Sequence, residues 1–251
     1  MMLIGGVKYN SDTTKTEMWS YLSGTLNEVE QIKKQVKNKT DYFVSSNANE
    51  ENVKKTISQA TILHISTHGF FFPDPEQVRE EMKAASAGSA TSTSADMKFR
   101  GSTNYASWSF VNNKNPLMRS GLVLAGANDV WERNPLAEGE DGILTAQEVS
   151  TLDMQKTKLV VLSACETGLG DIKGSEGVYG LQRAFKMAGV KNIIMSLWQV
   201  PDKETSEFMI TFYKKLTSKN NADVKTAFNE TQKEMRKKYD PYFWAAFVLV
   251  E

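Results

Sequence analysis

Short apolar segments alternate along this chain with segments in which apolar residues recur at helical spacing. This alternation is typical of a largely parallel β-sheet whose two faces are covered by helices. The chain has 251 residues, which is long enough for one large core of this kind. We predict strands for the apolar segments MLIGGV (2–7), DYFVSS (41–46), TILHIS (61–66), SGLVLAGAN (120–128), LVVL (159–162), NIIMS (192–196) and WAAFVLV (244–250).

Capping signals predict where several of the intervening helices begin. The segments TLNE (25–28) and TAQE (145–148) both have the capping-box pattern, in which a threonine is followed three residues later by a glutamate. Asn49, Ser175 and Asp202 precede further amphipathic segments, so we expect each of them to be an N-cap residue.

The regular alternation is interrupted once, over about residues 74–115. This stretch is rich in Ser, Ala, Thr, Gly and Asn, and the part from 84 to 96, AASAGSATSTSAD, is close to low complexity. Such a composition cannot bury enough apolar surface to form a core, so we predict a flexible surface insertion. We find no internal repeat and no domain linker, and therefore expect a single domain over residues 1–251.

Composition argues against several classes of function. Lys plus Arg and Asp plus Glu both total 30, so the formal net charge is zero, and no electrostatic attraction to nucleic acid or to an anionic membrane is expected. No apolar run approaches the roughly 20 residues of a membrane helix, and residues 1–7 lack the basic segment of a signal peptide. A single cysteine excludes an internal disulfide and a cysteine-based zinc cluster. We therefore expect a cytoplasmic domain with no metal and no other cofactor.

The single cysteine, Cys165, follows the predicted strand 159–162 almost directly. The carboxyl ends of strands are where open α/β sheets place ligands and catalytic groups. His68 follows the predicted strand 61–66 in the same way, and Gly69 lets the backbone turn there. If the two strands are parallel neighbours, a thiol and a base would converge, which is the arrangement of an activated nucleophile. The alternative is that Cys165 is a small buried apolar residue, as free cysteines often are.

Two further patterns have weaker functional interpretations. The turn with Gly168, Gly170 and Gly174 misses the G-x-G-x-x-G pattern by one residue and lacks the ending of a P-loop. Nucleotide binding is thus a less favoured alternative to a simple flexible turn. His64 lies within a predicted strand, which favours a core histidine or one that supports the site over a metal ligand.

Taken together, several segments resemble the CHAT domain, a caspase-like module named for its association with tetratricopeptide repeats. It belongs to the clan of cysteine peptidases that includes caspases, separases and gingipains. The resemblance extends over nearly the whole chain, and the motifs THG, SACETG, EGVYGL and SLW are specific in combination. The segments that carry it are ILHISTHGFF, SGLVLAGAN, DGILTAQEV, LVVLSACETGLG, GSEGVYGLQRAFKMAGVKNIIMSLWQV and PYFWAAFVLV.

The resemblance implies a fold and an activity. The fold would be a caspase-like three-layer α/β/α sandwich with a mainly parallel six-stranded sheet. His68 matches the catalytic histidine and Cys165 the nucleophile, while the backbone N–H groups of Gly69 and Cys165 match the oxyanion hole. The chain would then be a cysteine endopeptidase that hydrolyses peptide bonds with a Cys/His dyad.

The resemblance also implies a biological setting. The chain would be a regulated protease domain excised from a larger bacterial protein, whose tetratricopeptide repeats would be its partner and whose substrate would be a protein or peptide. A non-catalytic CHAT module for interaction or scaffolding is the main alternative. The substrate preference stays open, because a basic side chain needs a carboxylate at the base of its pocket whereas an apolar one needs an aromatic wall. Candidates for these roles are Glu166, Asp171, Glu176 and Asp202 for the carboxylate and Trp198 for the wall.

Overall fold

The structure analysed is a computed structural model of the chain. It describes residues 1–10, 18–36, 39–72, 74–76, 79, 110, 112–131, 140–163, 176–198, 200–218 and 223–251. Within these ranges, the side chains of residues 130–131 and 176–179 are not described.

The described strands form two sheets. They are β1 (Met2–Val7), β2 (Asp41–Ser45), β3 (Ile62–Ile65), β4 (Gly69–Phe71), β5 (Ser120–Val123), β6 (Ile143–Thr145), β7 (Leu159–Leu162), β8 (Asn192–Ser196) and β9 (Phe247–Val250). The larger sheet has six strands in the order β2-β1-β3-β7-β8-β9. All neighbouring pairs in it are parallel except β8 and β9, which are antiparallel. The predicted mainly parallel six-stranded sheet is therefore confirmed.

Helices cover both faces of the six-stranded sheet, which confirms the three-layer α/β/α sandwich. The described helices are α1 (Ser23–Gln35), α2 (Glu50–Ile57), α3 (Ala127–Trp131), α4 (Ala146–Thr151), α5 (Glu176–Met187), α6 (Asp202–Leu216), α7 (Val224–Met235) and α8 (Pro241–Trp244), with a 3-10 helix at Pro116–Met118. Side chains that alternate along each strand pack against α1, α6 and α7 on one face and against α2, α4 and α5 on the other. Across the described ranges, no helix has both the length and the apolar character required to cross a membrane.

A second, three-stranded antiparallel sheet with the order β4-β5-β6 lies at the carboxyl end of β3. The prediction of one strand over residues 120–128 is wrong in its extent, because β5 ends at Val123 and α3 begins at Ala127. Gly126 lies between them with φ +88°, a left-handed backbone conformation that glycine adopts without strain. The apolar run was long enough for one strand, but the glycine turn divides it between a strand and a helix.

One of the two predicted capping boxes is wrong. The box at Thr145 and Glu148 is confirmed, since each side chain bonds the other's backbone N–H. At residues 25–28, however, the helix already begins at Ser23. Thr25 Oγ1 donates to the carbonyl of Leu22 and accepts the N–H of Gly6, so it joins α1 to β1. The glutamate of the pattern is turned into the protein interior.

Of the three other residues predicted to cap helices, one is confirmed, one is wrong and one is not described. Asn49 is confirmed as an N-cap, since its side chain accepts the N–H of Asn52. Asp202 is not a cap: Pro201 occupies that position and Asp202 is the first helical residue. Ser175 lies outside the described residues.

The prediction of a strand over residues 244–250 is wrong in its first part. Pro241 starts the short helix α8, which suits proline at the first position of a helix. This helix occupies the sequence up to Trp244, and β9 begins only at Phe247.

The two ends of the predicted insertion are held by one buried guanidinium. Arg119 is 1% exposed, and its Nε donates to the carbonyl of Phe72 at 3.1 Å. Its Nη1 donates to the carbonyl of Asn113 at 3.0 Å. Arg119 therefore joins the chain that enters the 74–115 stretch to the chain that leaves it. Most of that stretch lies outside the described residues, so its role as a surface insertion stays a prediction.

A network of close contacts around the ammonium group of Lys54 fixes α2 against the start of α4. The Nζ atom of Lys54 lies 2.6 Å from a carboxylate oxygen of Glu50, 2.7 Å from Glu140 and 2.8 Å from Glu148. The three carboxylates have the spacing of a metal site, but the ammonium group already lies among them. Glu50 also accepts the backbone N–H of Gly142. Burial raises the pKa of Glu50 to about 8, although its contact with Lys54 acts in the opposite direction.

This shift predicts how the free energy of unfolding changes with pH. A raised pKa means that folded Glu50 holds a proton that the unfolded chain releases above its ordinary value of 4.5. Its contribution to stability is therefore complete below that value and is lost as the pH rises toward 8. For Glu50→Gln, we expect the stability relative to wild type to rise by about 1–2 kcal/mol between pH 5 and pH 8, after allowance for solvent screening.

Chemical unfolding at pH 5, 6.5 and 8 measures this difference. Glu51→Gln is the matched control, because Glu51 is exposed and its contact with Lys55 lowers its pKa, so it does not titrate in this range. Parallel stability curves for wild type and Glu50→Gln would show that burial does not hold the proton on Glu50.

Candidate active site

His68 lies at the junction between the two sheets, after β3 and directly before β4. Its side chain is 1% exposed. The ring of Tyr9 lies 5.0 Å from the imidazole between centroids, and the ring of Trp19 lies 5.4 Å from it. The imidazole therefore packs against two aromatic rings, and this close packing limits its rotation.

A backbone carbonyl determines the tautomer of His68. The Nε2 atom lies 2.7 Å from the carbonyl oxygen of Ser20. Because a carbonyl can only accept, Nε2 must carry a proton and donate it. In the neutral imidazole, Nδ1 is then the basic nitrogen, and it is the atom that could accept a proton from a thiol.

A chain of hydrogen bonds holds the backbone beside His68. The Thr67 hydroxyl donates to the carbonyl of Val123 at 2.5 Å, so it accepts from the Tyr9 hydroxyl at 2.8 Å. The N–H of His68 in turn lies 3.4 Å from the Tyr9 hydroxyl oxygen. The carbonyl of His68 accepts the N–H of Val123 at 2.9 Å. The main chain at His68 is thus joined to β5 on one side and to the segment after β1 on the other.

The segment that supplies the Ser20 carbonyl is clamped by Asn128. The Asn128 side chain accepts the N–H of Trp19 and donates to the carbonyl of Trp19, both at 2.9 Å. Asn128 is 2% exposed and is the second residue of α3. This residue was not expected to act at the site, because the sequence marks it only as the end of an apolar run.

The N–H of Gly69 faces away from the neighbouring strand. Gly69 pairs with Leu122 of β5, and the bond between the Val123 N–H and the His68 carbonyl lies directly beside this pair. In an antiparallel pair, successive residues direct their N–H groups alternately toward and away from the partner strand. The N–H of Gly69 therefore points to the outer edge of β4, on the side where no described strand pairs with it.

The register of the main sheet relates His68 to the predicted nucleophile. His64 of β3 pairs with Val161 of β7. His68 follows His64 by four positions, and Cys165 follows Val161 by four positions. Cys165 itself lies outside the described residues, and so its predicted roles as nucleophile and oxyanion-hole donor stay predictions.

The candidate specificity residues are only partly described. Glu166, Asp171 and the glycine turn suggested for nucleotide binding lie outside the described residues, while Glu176 begins α5 with an undescribed side chain. Trp198 is half-buried and donates from Nε1 to the carbonyl of Tyr242 at 2.9 Å. Asp202 is exposed and lies against Gly24 at the start of α1. Their binding roles stay predictions.

Comparison with known families agrees with this architecture. The model of the CHAT domain family matches residues 3–251. The chain therefore belongs to the CHAT domain family, as its motifs indicated, and this family is caspase-like.

Two curated relatives carry tetratricopeptide repeats in their names. Tetratricopeptide repeat protein 28 of Mus musculus is 26% identical over 210 residues, which is 83% of this chain and 8% of that protein. Tetratricopeptide repeat protein 28 of Homo sapiens is 34% identical over 112 residues, which is 43% of this chain and 4% of that protein. The chain thus spans less than a tenth of the length of either relative.

The clamp on Trp19 predicts a stability effect of Asn128. In Asn128→Asp, a carboxylate oxygen replaces the donating nitrogen and faces the carbonyl of Trp19, so one bond becomes a repulsion. We expect the free energy of unfolding to fall by about 1–3 kcal/mol, the cost of an unpaired buried polar group. Urea unfolding measures this loss of stability. Because the Ser20 carbonyl would no longer be held in place, ¹⁵N NMR of the His68 imidazole would report a loss of the Nε2–H tautomer.

Asn192→Asp provides the matched control for this change. The Asn192 side chain also donates to a backbone carbonyl at 2.9 Å, that of Lys158, but at a more exposed position. We expect water to take over that bond and the loss to stay below about 0.5 kcal/mol. Equal losses in the two variants would contradict a special role for Asn128.

Proposed function

We propose that this chain is a cysteine endopeptidase in which Cys165 is the nucleophile and His68 is the general base. Membership of a caspase-like family supports this class of activity. The single observation that carries the proposal is the fixed orientation of the His68 imidazole. Its Nε2–H is bound to the Ser20 carbonyl, which leaves Nδ1 as the nitrogen suited to take a proton from a thiol.

The pairing of β3 with β7 supports Cys165 as the partner of His68. These strands are adjacent and parallel, so the chain leaves both of them at the same edge of the sheet. The equal offsets of His68 and Cys165 from the paired residues His64 and Val161 favour a short distance between imidazole and thiol. Such a neighbour lowers the pKa of a thiol and increases the thiolate fraction at neutral pH.

The backbone at Gly69 supports an oxyanion hole. Its N–H faces outward from β4, where it could donate to the oxyanion that forms when a carbonyl is attacked. The N–H of Cys165 would be the second donor in this proposal. Two fixed donors of this kind stabilise the tetrahedral intermediate more than they stabilise the substrate.

The proposed reaction has two stages. The Cys165 thiolate attacks the carbonyl carbon of a peptide bond, and His68 gives its proton to the leaving amine, so that a thioester remains. Water then attacks the thioester while His68 takes up its proton, and the acid product and free thiol are released. No metal or cofactor is needed for this sequence of proton transfers.

The wider setting of this activity is also a proposal. The curated relatives are named for tetratricopeptide repeats, which supports a parent protein whose repeats regulate the protease domain. We propose that residues 1–251 act as one such domain in the cytoplasm of a bacterium, with a protein or peptide as substrate. Trp198 and Asp202, with the undescribed carboxylates of Glu166, Asp171 and Glu176, are the residues we propose for substrate selection.

The proposal predicts that proteolysis depends on both members of the dyad. The purified chain is incubated with a denatured proteome, and new N-termini are identified by mass spectrometry. We expect Cys165→Ala to abolish cleavage and His68→Ala to reduce it by a factor of at least about 100, because the thiol then lacks its base. The same N-termini would define the preferred residue before the cleaved bond.

Cleavage that is equal in wild type and in both variants would come from a contaminating peptidase and would contradict the proposal. The burial of His68, which is 1% exposed, favours one alternative, a CHAT module that binds partners without catalysis. Labelling of Cys165 by a peptide acyloxymethyl ketone separates the two. A thiol that stays unlabelled in wild type at neutral pH, even with the repeat region of the parent protein added, favours the binding module.

A further inference from the structure

A buried carboxylate joins the two strands from which the proposed dyad extends. Glu28 of α1 reaches the six-stranded sheet, where its Oε1 atom lies 2.8 Å from Nε2 of His64 in β3. The same oxygen accepts the hydroxyl of Ser163, the residue that follows β7. The three side chains are 2%, 0% and 2% exposed, respectively.

The position of Glu28 is fixed by close packing of α1 on β1. A side chain at Gly5 would place its Cβ 2.8 Å from the carbonyl oxygen of Thr25, and one at Gly6 would place it 2.9 Å from Leu26. Glycine at both positions therefore lets the helix backbone approach the strand. Thr25 adds a hydrogen bond to the N–H of Gly6 at 2.9 Å. Glu28 lies one turn further along this anchored helix.

A carboxylate at this depth is costly unless donors surround it. Transfer of an ionised carboxylate out of water is unfavourable by several kcal/mol, and hydrogen bonds from protein donors offset that cost. Here one donor is His64 of β3 and the other is Ser163, directly after β7, and both contact the same oxygen atom of Glu28. Any relative sliding of β3 and β7 would lengthen one of the two bonds.

The carboxylate of Glu28 binds His64, one residue before the last of β3, and Ser163, the residue directly after β7. β3 ends at Ile65 and β7 at Leu162, and the chain continues from them to His68 and to Cys165. Ser163 lies only two residues before Cys165. The bonds of Glu28 thus fix the points from which both proposed catalytic segments depart.

We propose that Glu28 is a positioning residue, which holds the ends of β3 and β7 in one alignment and thereby sets the approach of His68 to Cys165. The inference rests on the proposed function, since it concerns the geometry of that dyad. Glu28 touches neither substrate nor the reacting atoms in this role. Its effect should therefore appear in the ionisation of the thiol as well as in the stability of the fold.

Other groups of the flanking helix also face this cluster. The ring of Tyr213 in α6 meets the His64 imidazole edge-on, with 5.4 Å between centroids. Burial, together with the negative charge of Glu28, raises the pKa of the Tyr213 hydroxyl, so this group stays neutral in the pH range of the test.

Alkylation of the thiol by iodoacetamide tests the proposal without a known substrate. Cys165 is the only cysteine of the chain, so the rate reports on this thiol alone. In wild type, an imidazolium partner should keep alkylation fast at pH 6, where an ordinary thiol is protonated. Ser163→Ala removes the hydroxyl that donates to Glu28, and Glu28→Asp shortens the side chain so that its carboxylate no longer reaches both donors. We expect each variant to slow alkylation about tenfold at pH 6 but less than about twofold at pH 9.

Two control variants test whether the loss of these particular hydrogen bonds, and not any change at a buried polar residue, slows alkylation. Glu28→Gln retains an acceptor oxygen at the same reach, and we expect its profile to stay within about twofold of wild type. Ser66→Ala removes a buried hydroxyl from the chain after β3, where the described residues provide no hydrogen-bond partner, and it should leave the profile unchanged. Thermal unfolding establishes that each variant is folded at the temperature used.

The outcomes separate this inference from the proposed function. If His68→Ala leaves the fast alkylation at pH 6 intact, the dyad itself is wrong and the inference fails with it. If His68→Ala abolishes the fast alkylation at pH 6 but Ser163→Ala and Glu28→Asp leave it unchanged, the dyad stands and the positioning role of Glu28 is wrong. An equal effect of Ser66→Ala would also overturn that role, because loss of any buried hydroxyl would then suffice.

Discussion

The hydrogen-bonded pairing of β3 with β7 is the constraint on which the geometry of the candidate site depends. Parallel strands that are neighbours in a sheet release their chains at the same edge, whatever lies between them in sequence. His68 and Cys165 belong to segments that are far apart in the chain and leave adjacent strands of this sheet. The strand order β1-β3-β7-β8 therefore brings the carboxyl ends of two strands that are far apart in sequence, β3 and β7, to the same edge of the sheet.

This pairing is supported by polar groups inside an apolar layer. The face of the sheet that packs against α1 and α6 contains Leu3, Val161 and Ile194 on the strands around His64. Replacement of a wholly polar cluster by apolar residues is often neutral or stabilising in proteins. Directional bonds to Glu28 instead favour one register, because apolar contacts alone would tolerate small shifts between strands. The cluster is thus better explained by alignment than by stability.

Much of the fold could be predicted because the signals for it are local. The run LVVL at 159–162 and the capping box at Thr145 both specify their elements through neighbouring residues, and both are confirmed. The pattern at residues 25–28 failed for a physical reason. A glutamate three residues after a threonine can bond the helix N-terminus or a partner elsewhere in the fold, and here the imidazole of His64 binds Glu28 instead. Sequence patterns state which residues are able to cap, but tertiary contacts decide which of them do.

The candidate site shows a second limit of sequence, since part of it consists of backbone. The sequence identified His68, but the group that orients its ring is the carbonyl of Ser20, which any residue would supply. What is specific to this chain is the location of that carbonyl, and this depends on Asn128, whose side chain binds both polar backbone groups of Trp19. Asn128 follows β5 of the small sheet, and the carbonyl of Val123 in β5 also accepts from Thr67. His68 thus follows a strand of the main sheet, and its backbone is bonded to a strand of the small antiparallel sheet. The orientation of the imidazole therefore depends on the position of both sheets.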